Sequence, residues 1–399
     1  MAKNNAWILN SGASIILFIL APFLSFIGSI MRARNERNLW ILFFFYILFG
    51  LCFTLNQDSG FDSLRYVREF ESIRGESLKD FYLANIIKDG SLSDMYYPVI
   101  AWTANKIGGS NYHIMFLLFS FVFAVFTIQS LKIYYVNSKT SLGWMYTLTI
   151  FILISNNFIF NIIGMRFWTA AWILLYGVLS LYVLHRKIGF LWVMITPLVH
   201  STFILPLSLI IISRFLGQFE KVWITVLIVS VPFSFLSLSL IPTLSNYVPD
   251  IYLSKFDFYT NPEYIQERSS GTGFTFLENF LRTCMMVLEA YVLYRFYKLY
   301  KNDSSWALRP LFNFTVIFVA FANFFSAIPS GVRYIIVSLP LVIYLVWIKA
   351  DTPSFRKYMV LFLATMSFSI LDMLINKTIL VLPVDFYYSN LVSLVVTYI

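Results

Sequence analysis

Apolar residues run through this chain in unbroken blocks separated by short polar intervals, from end to end. The blocks lie near 7–30, 39–55, 111–131, 142–160, 166–184, 222–241, 274–294, 311–328, 332–348 and 358–375. Each approaches the roughly 20 residues a helix needs to cross about 30 Å of hydrocarbon. Strands of a membrane barrel would alternate apolar and polar positions. Stretches such as ILFFFYILFGLCF and FLLFSFVFAVF do not alternate. The pattern predicts an all-α polytopic membrane protein of about ten to twelve transmembrane helices, forming one domain over 1–399. The first block, Trp7 to Ile30, is too long for a signal-peptide core and lacks a small-residue cleavage site, which predicts an uncleaved anchor.

Composition agrees. Of 399 residues 59% are hydrophobic and 12% charged, and the mean hydropathy is +0.74. A soluble domain carries about a quarter charged residues. The net charge of +9 forms no continuous basic face, so it predicts no nucleic-acid partner. It reflects instead the bias of Lys and Arg toward the cytoplasmic side. Loops 31–38, 132–141, 185–189, 214–221, 295–309 and 349–357 hold 16 of the 29 Lys and Arg and only four acids. This assigns them to the cytoplasm and places the N-terminus, 56–110, 242–273 and the tail outside. Cys52 and Cys284 both fall in apolar segments and imply neither a disulfide framework nor a metal site.

The block 188–213 breaks the count of crossings, because basic loops flank both of its ends. Its TPLVHSTFILP sequence sets Pro197 and Pro206 around His200, and proline interrupts helical hydrogen bonding. Two half-helices forming a re-entrant hairpin would restore parity; so would a single crossing with a second short element at 96–107. Outside, 56–95 mixes eight acids and five basic residues with Phe and Tyr, which predicts an external amphipathic loop on the membrane surface. The external loop 242–273 is acidic and ends in a flexible SSGTG.

Few residues could carry chemistry. Arg166 and Arg333 each open a span at its outer end, where the charge rule disfavours them. A single such arginine is as readily explained by snorkelling to headgroups. Two at equivalent depth point to a shared anionic ligand, for guanidinium matches phosphate oxygens with a fixed fork. NQDSGFDSLRYVREFE, after the second span, offers Asp62, Arg65 and Tyr66 near the membrane surface. Arg68, Glu69 and Glu71 read as a solvated, salt-bridged face. His200 sits mid-block, as core or as the lining of a cavity beside the proline break. Glu278 and Arg282, spaced i, i+4, predict a pair, although Arg282 could face the cavity of Arg166. Asp372 reads as a packing residue. No metal-binding, nucleotide-binding or nucleophile-elbow motif occurs.

Together these motifs resemble the EpsG-like branch of the Wzy polysaccharide polymerases, bacterial enzymes that build O-antigen, capsule or exopolysaccharide. The resemblance rests on an outer D-x-x-x-Y (Asp62, Tyr66), R-x-x-x-A opening a span (Arg166, Ala170), an H-S pair (His200, Ser201) and a late R-Y (Arg333, Tyr334). It covers most of the chain; the departure is Tyr97-Pro98, where an acid-proline pair is expected. The resemblance implies transfer of a glycan from undecaprenyl diphosphate to a sugar hydroxyl of a lipid-linked repeat unit. This would occur on the outer face of the bacterial cytoplasmic membrane, without metal or cofactor, beside a flippase and a chain-length regulator. Arg166 and Arg333 would stabilise the departing diphosphate, Asp62 or His200 would act as base, and Arg65, Tyr66, Arg282 and Tyr334 would bind substrate. The competing class is a transporter or flippase for an anionic or lipid-linked substrate. It would use mid-membrane sites and repeat symmetry, neither of which is visible. An O-acetyltransferase would need cytoplasmic acyl-donor chemistry, which is also not seen.

Overall fold

The computed structural model describes residues 12–32, 36–55, 62–73, 77–80, 83, 94–137, 143–159, 164–234, 261, 275–303, 305–326, 331–372 and 382–399. The expectations for 242–273, other than Asn261, and for most of 81–93 lie outside them. Among the described residues every regular element is helical.

The helices are α1 (Pro22–Met31), α2 (Glu36–Leu51), α3 (Asp62–Glu71), α4 (Tyr96–Gly108) and α5 (Tyr112–Val136). α6 (Gly143–Asn156), α7 (Met165–Tyr182), α8 (Ile188–Val199), α9 (Ile204–Leu216) and α10 (Glu220–Phe233) follow. The series ends with α11 (Thr275–Tyr300), α12 (Arg309–Phe325), α13 (Val332–Trp347), α14 (Pro353–Asp372) and α15 (Leu391–Tyr398). Tyr112–Val136 is the one helix among the described residues long and apolar enough by itself to cross a membrane; seven shorter apolar helices accompany it.

One expectation fails. The first block is not a single helix: a segment over 12–20 ends at Ala21, whose φ of −151° is not helical, and α1 restarts at Pro22. Proline disfavours the helical region for the residue before it. Residues 7–11 of that block lie outside the described residues.

The centre of the bundle is α5, flanked by α2 and α7; α8 lies along α7 and α12 along α10. Small residues set the close approaches. A methyl at Gly50 of α2 would collide with Ser120 and the Phe116 carbonyl of α5, and one at Gly177 of α7 would come within 2.9 Å of the Gly189 carbonyl of α8. Small residues let backbones meet closely where lipid supplies no hydrophobic drive between helices.

The 188–213 block breaks at His200. α8 ends there in extended backbone (φ −151°, ψ 118°), a 3-10 turn covers Ser201–Phe203, and α9 begins at Ile204. Pro206 falls in the first turn of α9, where a backbone N–H has no intrahelical acceptor. His185 and Phe190, at the base of α8, line one cavity with Ile210, Arg214 and Phe215 of α9. The two arms therefore fold back on each other. At 1.5 Å per residue each arm is roughly 18–20 Å long, short of a hydrocarbon core.

Candidate functional site

The tip of this hairpin meets the first turns of α7 and α13, and an acid from another segment holds it. Backbone freed at the break needs partners. The Ser201 amide donates to Asp94 Oδ1 at 2.6 Å, and the Leu198 carbonyl accepts from the Met95 amide at 2.9 Å. The second oxygen of Asp94, Oδ2, lies 2.8 Å from Arg166 Nη1. Asp94 is buried, with a side chain 5% exposed against 22% for Arg166. One carboxylate thus ties the hairpin tip to the arginine opening α7.

Arg166 is further positioned by an aromatic face. Its guanidinium lies 4.9 Å over the Tyr66 ring, which Arg65 approaches at 5.2 Å. Tyr66 is buried on α3. Its carbonyl accepts from the Tyr97 hydroxyl at 2.8 Å, and the two rings lie 4.7 Å apart. Tyr97 stands in the segment read as external to the spans. Burial first, then the nearby Glu69 carboxylate, pushes its phenol well above the ordinary value, so it serves as a hydrogen-bond donor. Arg65 is exposed and also approaches Glu69 at 3.9 Å.

Phe167 joins the second arginine to the first. Arg333 lies 5.5 Å over the Phe167 ring, next in the chain to Arg166. The rings of His200, Phe203 and Tyr334 surround Phe167 at 5.3, 5.1 and 5.9 Å. Tyr334 donates its hydroxyl to the Thr202 carbonyl at 3.0 Å, pinning α13 to the 3-10 turn. His200 Nδ1 is 2.8 Å from Thr202 Oγ1. Arg333 is exposed while Tyr334 is buried, so the guanidinium can meet a ligand while its neighbour anchors the helix.

The structure therefore brings Arg65, Tyr66, Arg166, His200, Arg333 and Tyr334 into one cluster. Arg282 hydrogen-bonds Asn279 on its own helix. Asp62 opens α3, but its side chain, like those of Glu278 and Asp372, lies outside those described. The sequence reading missed Asp94 and Phe167, and named Tyr97 only as a departure from the family's acid-proline pair. Asp94 left a trace, as the last acid before the apolar YYPVIAWTANKI. Among the described residues no group of three His, Cys, Asp or Glu could hold a metal ion.

The EpsG family matches this chain over residues 37–386. The chain belongs to the EpsG family. Its membership makes it a membrane protein of polysaccharide synthesis with a polymerase-like role. The matched region runs from α2 into the Val384–Tyr387 turn and encloses every residue of the cluster. No curated protein and no solved structure matches the chain.

Proposed function

We propose that this EpsG-family protein is a membrane glycosyltransferase that polymerises undecaprenyl-diphosphate-linked oligosaccharide repeat units at the outer face of the bacterial cytoplasmic membrane. The observation that carries the reading is the placement of Arg166, fixed by Asp94, and of Arg333, laid over the ring of the adjacent Phe167, at the tip of a broken hairpin. Two arginines at one site are costly in a membrane protein unless they serve an anion.

In the proposed reaction a sugar hydroxyl of the incoming repeat attacks the anomeric carbon of the growing glycan. The new C–O bond forms as the bond to the diphosphate oxygen breaks, and undecaprenyl diphosphate leaves with the electron pair. Negative charge grows on that oxygen, where fixed cations lower the barrier because they need no reorganisation. Arg166 is such a cation: Asp94 and the Tyr66 ring hold it before substrate arrives. Arg333, more exposed, would approach the diphosphate from the face of Phe167 over which it lies. His200 takes the hydroxyl proton. In the tautomer whose Nδ1–H donates to Thr202 Oγ1, 2.8 Å away, Nε2 carries the lone pair a general base needs. Arg65 and Tyr66, which lie beside Arg166, would supply sugar and phosphate contacts. A flippase would deliver the repeat units and a chain-length regulator would act on the product.

Complementation of a strain lacking the gene tests this. Arg333→Ala should leave single repeat units on the cell surface and remove the ladder of long chains. A full ladder from the Arg333→Ala protein would contradict the proposal.

A further inference from the structure

At the other end of α7 from Arg166, roughly 24 Å along the helix, lies a cavity of about 880 Å³. It is formed where the α9–α10 turn, the end of α11 and the start of α12 meet, at the end of the bundle that carries the basic loops. Four cationic side chains line it, with one acid, Glu220. Arg309 is already occupied: it lies 3.3 Å from Glu220 and donates to the carbonyls of Tyr300, Lys301 and Asp303, closing the end of α11. Arg214, Lys221 and Lys301 are exposed, and among the described residues no ion pair engages them. Asn313, also in the wall, has a buried side-chain oxygen without a hydrogen-bond partner. The cavity thus offers an anion three cations and offers a hydroxyl one acceptor.

A second cavity of about 480 Å³ adjoins it between the two arms of the hairpin and shares Tyr182, Arg214 and Pro310. Its walls are apolar, including Leu181, Phe190 and Ile210, and its rim is exposed at Ile211 and Phe215. Arg214 stands at the boundary of a polar compartment and an apolar one. A soluble phosphate would use only the first; an amphiphile would fill both.

We propose that the joined cavities bind one anionic glycerophospholipid, separate from the substrate of the Arg166 cluster. Its phosphate lies against Arg214, Lys221 and Lys301, a headgroup hydroxyl reaches Asn313, and an acyl chain enters the cleft between α8 and α9. The site joins the bases of both hairpin arms, so a bound lipid also braces the element whose tip carries His200 and Ser201.

Native mass spectrometry of the full-length protein in detergent, with phosphatidylglycerol or phosphatidylcholine added, tests this. The wild type should retain one phosphatidylglycerol where phosphatidylcholine is lost. Lys221→Gln with Lys301→Gln should weaken retention by about a hundredfold, about tenfold for each charged contact. Arg32→Gln with Lys357→Gln, exposed bases of the same end outside both cavities, should change nothing. Phe190→Gln with Ile211→Gln should also weaken retention, in protein that still elutes as a single species. Unchanged retention in the Lys221 and Lys301 double variant overturns the site. An equal loss in the Arg32 and Lys357 variant reduces it to general surface charge and overturns it too. Displacement of the lipid by inorganic phosphate, with no effect of the Phe190 and Ile211 changes, overturns the amphiphile.

Discussion

Asp94 Oδ2 lies 2.8 Å from Arg166 Nη1, while its partner oxygen accepts the Ser201 amide at 2.6 Å. A single buried carboxylate therefore fixes both a cation and the break in the hairpin. Truncating one member of a buried pair leaves the other charge uncompensated, which costs about 3 kcal/mol or more. The partial exposure of Arg166 puts this protein at the lower end of that range. Asp94→Ala should lower the thermal unfolding midpoint in detergent accordingly, and Asp94→Asn, which keeps an acceptor for Ser201, should lower it less. Equal stability of the wild type and Asp94→Ala would remove Asp94 from this role.

Tyr334 and Thr202 supply a second tie to the same turn. Tyr334→Phe loses one hydrogen bond, worth about 1 kcal/mol, but keeps the ring packed beside Phe167. The protein should remain folded and retain long-chain synthesis at a reduced level, unlike Arg333→Ala. A Tyr334→Phe variant as inactive as Arg333→Ala would assign the hydroxyl a role in the chemistry itself.

Much of the fold was legible because membrane helices announce themselves by length and hydropathy. The expected spans 111–131, 166–184 and 332–348 fall on Tyr112–Val136, Met165–Tyr182 and Val332–Trp347. The break near His200 was legible from the two prolines and the charge parity together. Arg166, Arg333 and His200 stood out because charge is expensive where they lie. Asp94 did not, because it stands in a loop where acids are cheap, and only the fold carries it 72 residues along the chain to Arg166. Phe167 was invisible for the opposite reason: one phenylalanine among 42 carries no signal until its neighbours are known. The break at Ala21 was missed because the apolar run continues straight through Pro22.

The hairpin makes a topological prediction. Single cysteines at Lys187 and Lys221, in a background lacking Cys52 and Cys284, should react with an impermeant thiol reagent from the same side of the membrane. Labelling from opposite sides would make 188–213 a single crossing and would refute the re-entrant hairpin.

His200 and Asp62 are the two candidate bases, and the cluster around Phe167 favours His200. Removing a general base lowers rate by about 10²- to 10⁴-fold. His200→Ala should abolish the long-chain ladder, and Asp62→Asn should retain it. The reverse result would move the base to α3.

The central claim is that Arg166 stabilises a departing diphosphate, and its most direct test is the fate of repeat units in an Arg166→Lys strain. Lysine keeps the charge but loses the planar fork that matches phosphate oxygens. Loss of one such contact lowers rate by about 10²- to 10³-fold. Single repeat units, measured by surface labelling of lipid-linked glycan, should accumulate on the outer face while long chains disappear. Repeat units held on the cytoplasmic side would instead make the defect one of translocation, and the polymerase account would give way to a flippase.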